Sequence, residues 1–79
     1  MRIKCLSRRE GPAALNAVVT ISAARGQIEE VVGHRGYVDH QGSLEVYYIG
    51  ERDNLLFVEL PGPTRSGRSR VWVQKWVVA

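Results

Sequence analysis

The apolar residues of this chain occur in short runs, and none is long enough to form a long buried helix or to cross a membrane. β-branched and aromatic residues are concentrated in stretches such as Ala17–Ala23 and Leu55–Leu60. Gly, Pro and polar clusters separate these stretches at intervals of roughly ten residues. Such spacing is typical of a small β-sandwich or β-barrel. The sequence therefore predicts a mostly β domain.

In the first half of the chain we predict two strands with a turn between them. Arg2–Leu6 is predicted as the first strand and Ser7–Pro12 as a turn, because Gly-Pro ends it and proline cannot donate a ladder hydrogen bond. Ala13–Leu15 can begin a short helical turn. Ala17–Ala23 alternates β-branched with small or polar residues and is predicted as a strand. Ile28–Val32 is too short for its apolar spacing to distinguish a helix from a strand.

In the second half we predict a hairpin and a closing strand. Leu44–Ile49 is predicted as a strand with Leu44, Val46 and Tyr48 on one face. Glu51–Asn54 is the predicted turn, and Leu55–Leu60 the returning strand. A Gly-, Pro- and Ser-rich loop, 61–69, then leads to the apolar segment 70–78. An OB-like barrel, or an open α+β sheet with 13–24 helical, remains an alternative.

The length of 79 residues allows one domain with a thin core. Cys5 is the single cysteine, so no internal disulfide or Cys–His zinc pattern is possible. A small domain without such crosslinks depends on good packing or on a partner subunit, which favours self-association. A lone thiol suits a reducing compartment, so we expect a cytoplasmic protein. No apolar segment follows the basic N-terminal residues, so we expect no signal peptide, and the short apolar runs predict no membrane contact.

Charge is unevenly distributed along the chain. The formal net charge is +3, both ends are basic, and residues 11–60 carry seven acids against three arginines. Such asymmetry indicates an anionic partner or a self-complementary association.

The order of these elements resembles that of SH3-like barrels. The segment Gly33–Asp39 (GHRGYVD) is similar to the glycine-punctuated second strand of KOW-type barrels. In the SH3-like plan Arg70–Val73 is the fourth strand, Gln74–Trp76 a single 3₁₀ turn, and Val77–Ala79 the fifth strand.

The resemblance covers residues 17–79 and sets residues 1–16 aside as an N-terminal extension of one domain, 1–79. It implies a mostly β, SH3-like barrel of five to six strands with an extra N-terminal strand or turn.

Exposed aromatic and basic residues near the C-terminus are the candidate binding site. If Val71 and Val73 face the core, Trp72 faces outward, and Trp76 shares that direction only if no 3₁₀ turn intervenes. Trp and Arg dominate the binding energy of protein interfaces. We therefore predict a module that binds a protein partner or itself. The predicted binding residues are Trp72, Trp76, Tyr47, Tyr48, Arg65, Arg68, Arg70, Lys75 and Arg35.

Nucleic-acid binding is the alternative, because arginines beside exposed aromatics suit phosphates and stacked bases. The acids of the central hairpin decide between the two predictions. If they share a face with the C-terminal arginines, they repel a polyanion, and if they segregate, nucleic acid becomes the better prediction.

The apolar segment 70–79 carries only Lys75 as an internal charge, so it is an aggregation-prone edge. We expect it to be covered, either by residues 1–7 of the same chain or by a second subunit.

No catalytic, cofactor or metal motif is present, so we expect no enzyme activity and no cofactor. The spacing of His34, Asp39 and His40, with Cys5 added, matches no ligand pattern and predicts no metal site. A remote alternative is an oligomeric pore enzyme, since 73–76 (VQKW) resembles the Val-Gln-Ile-Tyr segment of type II dihydrofolate reductases in two of four residues.

Overall fold

The computed structural model describes all 79 residues as eight short strands and three single 3₁₀ turns. The strands are β1 (Arg2–Lys4), β2 (Ser7–Glu10), β3 (Asn16–Ser22), β4 (Ile28–His34), β5 (Ser43–Glu45), β6 (Tyr47–Arg52), β7 (Leu55–Glu59) and β8 (Arg70–Gln74). The 3₁₀ turns are Ala24–Gly26, Arg35–Tyr37 and Lys75–Val77.

The strands form three small antiparallel sheets. One sheet pairs β1 with β5, the second has the order β2–β3–β4, and the third has the order β6–β7–β8. The prediction of a small, mostly β domain is confirmed. The three sheets do not close into a barrel, and eight strands replace the predicted five or six. The specific resemblance to SH3-like barrels stays a prediction.

A single apolar cluster of 14 buried residues holds the sheets together. It follows from strand alternation, since Val19 and Ile21 of β3, Val58 of β7 and Val73 of β8 point inward at every second position. Ile3 of β1 is fully buried in the same cluster. No buried side-chain nitrogen or oxygen atom lacks a hydrogen-bond partner.

The N-terminal segment is an integral part of the domain. Ile3 forms an isolated bridge with Val78, and the amide of Ala79 donates to the carbonyl of Arg2 at 2.9 Å. On the other side of β1, the amide of Val46 donates to the carbonyl of Met1 at 2.8 Å. The C-terminal residues 78–79 are therefore covered by the same chain, one of the two arrangements expected from their apolar sequence.

The predicted turn at Ser7–Pro12 is wrong for its first four residues, which form β2. This strand pairs with β3 from Ser7 opposite Thr20 to Glu10 opposite Ala17. All four of its side chains are exposed, so β2 lacks the apolar alternation that predicts strands. Only Gly11 and the residues after it form the turn.

The structure resolves one undecided segment as a strand and divides one predicted strand in two. Ile28–Val32 is part of a strand, which pairs along its whole length with β3. Leu44–Ile49 is divided at Val46, so that β5 and β6 belong to different sheets. Tyr48 lies in a different sheet from Leu44 and opposite Val58, and it is half-exposed, whereas Leu44 and Val46 are buried.

The β6–β7 hairpin has a two-residue turn at Asp53 and Asn54, which have φ values of 52° and 64°. Asp and Asn tolerate this left-handed region, and such turns match the natural twist of a hairpin. Pairing shifts by one residue between Tyr48 and Gly50, which leaves Ile49 in a β-bulge. The predicted hairpin is therefore confirmed, with Glu51 and Arg52 inside the strand.

The loop at 61–69 covers the outer edge of β4. Thr64 is buried and bridges Val31, and the amide of Arg65 donates to the carbonyl of Glu30 at 2.8 Å. A β-carbon on Gly62 would lie 2.5 Å from the carbonyl oxygen of Val32, so glycine is what allows the loop to pass this close.

Candidate functional site

Strand register fixes which side chains lie on the outer face of the β6–β7–β8 sheet. Residues directly opposite each other share a face, and Leu56–Val73 and Val58–Val71 form the buried one. The outer face therefore carries Phe57 opposite Trp72. Their rings stack with centroids 4.6 Å apart and planes inclined by 34°. Trp72 is half-buried there, and it faces outward as the alternation predicts.

One end of this outer face is polar and ion-paired. Arg70 lies opposite Glu59, and its Nε is 3.0 Å from a Glu59 carboxylate oxygen. On the neighbouring strand β6, Tyr47 also lies opposite Glu59, and it is 78% exposed. Tyr47, Arg70 and Trp72 thus share one surface.

Trp76 lies at the opposite end of the sheet. It belongs to the third 3₁₀ turn, which follows β8, and it is 62% exposed. Its neighbour Lys75 pairs with Glu51 of β6, with Nζ 2.9 Å from the carboxylate. Because the 3₁₀ turn breaks the strand alternation, Trp76 and Trp72 do not form one continuous row.

Two predicted site residues lie on other surfaces. Arg65 pairs with Glu30 of β4 at 3.4 Å, and Arg35 donates from Nη1 to the carbonyl of Ala14 at 3.4 Å. Arg35 contributes to a cleft of about 670 Å³ beside β2 that also contains Arg8. The nine predicted residues therefore occupy several surfaces of the molecule.

The free edge of β6 carries three consecutive exposed apolar or aromatic side chains. β6 pairs only with β7, and its remaining backbone groups have no partner in the chain. Tyr47, Tyr48 and Ile49 are 78%, 51% and 43% exposed. An edge of this kind can add a strand from another chain.

A second surface is a basic cleft of about 550 Å³ between the first 3₁₀ turn and β8. Its lining includes Trp72 and Leu55 and four arginines, which are Arg25, Arg52, Arg68 and Arg70. Sequence analysis found Arg68, Arg70 and Trp72 but missed Arg25 and Arg52. Arg25 lies in the first 3₁₀ turn and Arg52 at the end of β6, 27 residues apart, and no local pattern joins them. Arg25 has a φ of 64°, which is uncommon for a residue other than glycine.

The acids of the central hairpin lie beside the C-terminal cations. Glu59 pairs with Arg70 and Glu51 with Lys75, while Arg52 pairs with its neighbour Asp53 at 3.8 Å. The C-terminal surface is therefore mixed in sign, which weakens the predicted nucleic-acid site built on Arg70 and Lys75.

Two of the residues considered for metal binding, His34 and Asp39, accept hydrogen bonds from backbone amides. The Nδ1 atom of His34 accepts from the amide of Gly36 at 2.9 Å. Asp39 Oδ1 accepts from the amides of Gln41 and Ser43, both at 2.9 Å. These hydrogen bonds, chiefly that from Ser43, and the nearby Arg2 guanidinium lower the pKa of the Asp39 carboxyl. No group of three or more metal-ligating side chains is present.

Burial raises the pKa of the Cys5 thiol to about 11, with a further contribution from the negative charge of Asp39. Because the thiolate is the reactive form, this cysteine is a poor nucleophile near neutral pH.

No helix of the structure has the length and apolar character needed to cross a bilayer. Comparison with known proteins identifies no relative: no protein-family model, no curated protein and no solved structure matches the chain.

Proposed function

We propose that this chain is a non-enzymatic interaction module that associates with a second copy of itself through the free edge of β6. The observation that carries the proposal is the run of Tyr47, Tyr48 and Ile49, all exposed, on a strand that pairs on one side only. Unpaired strand edges with apolar side chains are templates for pairing with another chain.

The other sheet edges are less suited to pairing than that of β6. β8, the other edge strand of the same sheet, lies beside the first 3₁₀ turn, Ala24–Gly26. The outer edge of β4 is covered by the loop at Thr64. β2 also has a free edge, but Arg8, Arg9 and Glu10 make three of its four residues charged. Charges are a common means of preventing edge pairing. β6 has its charges, Glu51 and Arg52, at one end only.

The sequence of β6 is complementary to itself in the antiparallel direction. In a two-fold dimer the aromatic start of one strand lies opposite the charged end of the other. Tyr47 and Arg52 are both on the outer face, where a tyrosine ring can contact a guanidinium of the second copy. Tyr48 and Glu51 share the other side, where a hydroxyl can donate to a carboxylate.

The size of the domain also favours association. A core of 14 buried residues is small, and oligomerisation is a common source of stability for domains of this length. A six-residue edge is a small contact, so the expected Kd is on the order of 10–100 μM. We further propose that the module works in the cytosol, where a single thiol such as that of Cys5 stays reduced.

Sedimentation equilibrium tests the proposal directly. The wild-type chain is expected to show a concentration-dependent mass between monomer and dimer over roughly 10 μM to 1 mM. Ile49→Lys places a charge on the free edge and is expected to give a monomer. Ile28→Lys is the matched control, because Ile28 is also exposed but lies on β4, and it is expected to behave as wild type.

Two results would contradict the proposal. One is a wild-type monomer at every concentration. The other is a loss of association that is equal in the Ile49→Lys and Ile28→Lys variants.

A further inference from the structure

The basic cleft has features that the β6 edge does not explain. It lies between the first 3₁₀ turn, at Ala24–Gly26, and the strand β8, and it brings together four arginines from three separate parts of the chain. Like charges concentrated in one concave site repel one another unless a counter-charge is present. The only acid in its lining is Asp53.

Two of the four guanidinium groups have no counter-charge in the protein. Arg52 pairs with Asp53 and Arg70 with Glu59. Arg25 and Arg68 take part in none of the ion pairs of the chain. Both are exposed and line the cleft. Arg25 also occupies the left-handed region of φ, an unusual conformation that is found more often at functional sites.

The cleft has an aromatic wall as well as positive charge. Trp72 lines it, and Phe57 supports the indole through the 4.6 Å stack. Leu55, on the same outer face, adds apolar surface. A braced indole beside arginines with no acidic partner provides a flat surface for a base and two positions for phosphate oxygens.

We propose that this cleft binds single-stranded nucleic acid, with a base stacked on Trp72 and phosphates held by Arg25 and Arg68. A duplex keeps its bases stacked inside the helix, so only a single strand can present a base to the indole. The cleft shares Arg68, Arg70 and Trp72 with the C-terminal surface predicted from the sequence and adds Arg25 and Arg52. Lys75 and Arg65 lie outside it, in ion pairs with Glu51 and Glu30.

Fluorescence titration of a Trp76→Phe variant tests this site, since Trp72 is then the only tryptophan. The titrants are a single-stranded oligonucleotide, the matching duplex, a mononucleotide and heparin. We expect the single strand to quench Trp72 and to bind at least about tenfold more tightly than the duplex or heparin at about 50 mM salt. Its affinity should fall with salt, with a slope of about 0.7 per phosphate contacted. The mononucleotide should bind at the same site more weakly.

Four outcomes of the titration overturn the proposal. They are no binding of the single strand at low salt, equal binding of heparin, equal binding of the duplex, and binding of the mononucleotide as tight as that of the single strand. Heparin is a polyanion without bases, so equal binding would mean a general electrostatic surface.

Paired charge variants locate the contact. Arg25→Gln with Arg68→Gln is expected to weaken single-strand binding about tenfold or more and to lower the salt slope by about one. Arg8→Gln with Arg35→Gln removes the same charge from the cleft beside β2, which has no aromatic side chain in its lining. This control is expected to change affinity less than threefold or so. An equal loss in both variants contradicts the assignment of the cleft.

Stacking on Trp72 is tested with substitutions at this residue in the Trp76→Phe background. Binding is measured by the fluorescence anisotropy of a labelled single-stranded oligonucleotide. Trp72→Phe keeps a ring and is expected to retain most of the affinity, whereas Trp72→Leu is expected to lose about tenfold or more. Thermal melts of both variants confirm that they are folded. If the folded Trp72→Leu variant binds as tightly as Trp72→Phe, the base does not stack on this residue.

Discussion

The indole of Trp72 stacks on the ring of Phe57 across the outer face of the β6–β7–β8 sheet, with centroids 4.6 Å apart. The pair lies directly opposite in the register, and Gly50 is the neighbour of Phe57 on β6. Because glycine provides no side chain at that position, Phe57 has a directly opposite side chain only on the β8 side, where Trp72 lies. The same contact braces the wall of the basic cleft.

This stack is expected to couple the two residues energetically. A double-mutant cycle with Phe57→Leu and Trp72→Leu should give a coupling free energy of about 0.5–1.5 kcal/mol in urea unfolding. The neighbouring pair Leu55 and Gln74 is the control and should couple by less than about 0.5 kcal/mol. Additive effects of the two aromatic substitutions would show that the stack contributes nothing beyond burial.

The first strand is expected to be essential for stability. Ile3→Ala truncates a fully buried side chain of the core cluster and should lower the free energy of unfolding by about 2–5 kcal/mol. Leu6→Ala, two residues beyond the strand, truncates a side chain that is 54% exposed and should cost less than about 1 kcal/mol. Chemical denaturation measures both, and a loss below about 1 kcal/mol for Ile3→Ala would contradict the place of β1 in the core.

The close approach of the 61–69 loop to β4 is expected to make Gly62 intolerant of a side chain. Gly62→Ala brings a β-carbon against the carbonyl oxygen of Val32 and should cost about 1–3 kcal/mol. Gly50→Ala is the control, since nothing lies within 4 Å of the added carbon. Thermal melts of the two variants should separate clearly, and an unchanged melting temperature for Gly62→Ala would contradict the loop position.

Stability is expected to fall in acid through two carboxyls. Hydrogen bonding from Arg9 lowers the pKa of Glu30, and the amide of Ser43, with that of Gln41, lowers the pKa of Asp39. A carboxyl with a lowered folded-state pKa stabilises the fold above its unfolded value, and this contribution is lost as the pH falls through the folded value. The loss should therefore begin below about pH 4.5 and continue downward.

Urea titrations between about pH 7 and pH 3 test this prediction. The difference in free energy of unfolding between wild type and Glu30→Gln should be largest near neutral pH and should shrink below about pH 4. Glu10→Gln is the matched control, because Glu10 takes part in no ion pair. A difference between wild type and Glu30→Gln that does not change with pH would contradict the assigned role of Glu30.

The sequence predicted the strands whose side chains alternate between core and solvent. β7 and β8 bury every second residue, so their pattern can be recognised directly. β3 has the same alternation at Val19 and Ile21, although Val18 is buried as well. β2 could not be recognised, because all of its side chains are exposed and its position depends on pairing with β3. The division of 44–49 at Val46 was also invisible, since buried alternation continues through Val46 while the backbone changes sheets.

The sequence could predict only those features of the candidate site that depend on neighbouring residues in one strand. Strand alternation placed Trp72 on the outer face, where the structure has it. Arg25, Arg52 and Arg68 line one cleft only because the fold brings together the first 3₁₀ turn, the end of β6 and the 61–69 loop. No sequence spacing encodes that arrangement. The ion pairs Glu59–Arg70 and Glu51–Lys75 likewise depend on strand register.

Hydrogen exchange of the β6 amides at low and high protein concentration tests the proposed self-association most directly. Edge amides of β6 that have no partner in the monomer should become protected as the concentration rises through the dissociation constant, while the amides of the free edge of β2 should not change. Protection of β6 that is lost in Ile49→Lys and kept in Ile28→Lys is the predicted result. Exchange at β6 that is independent of concentration would contradict the account.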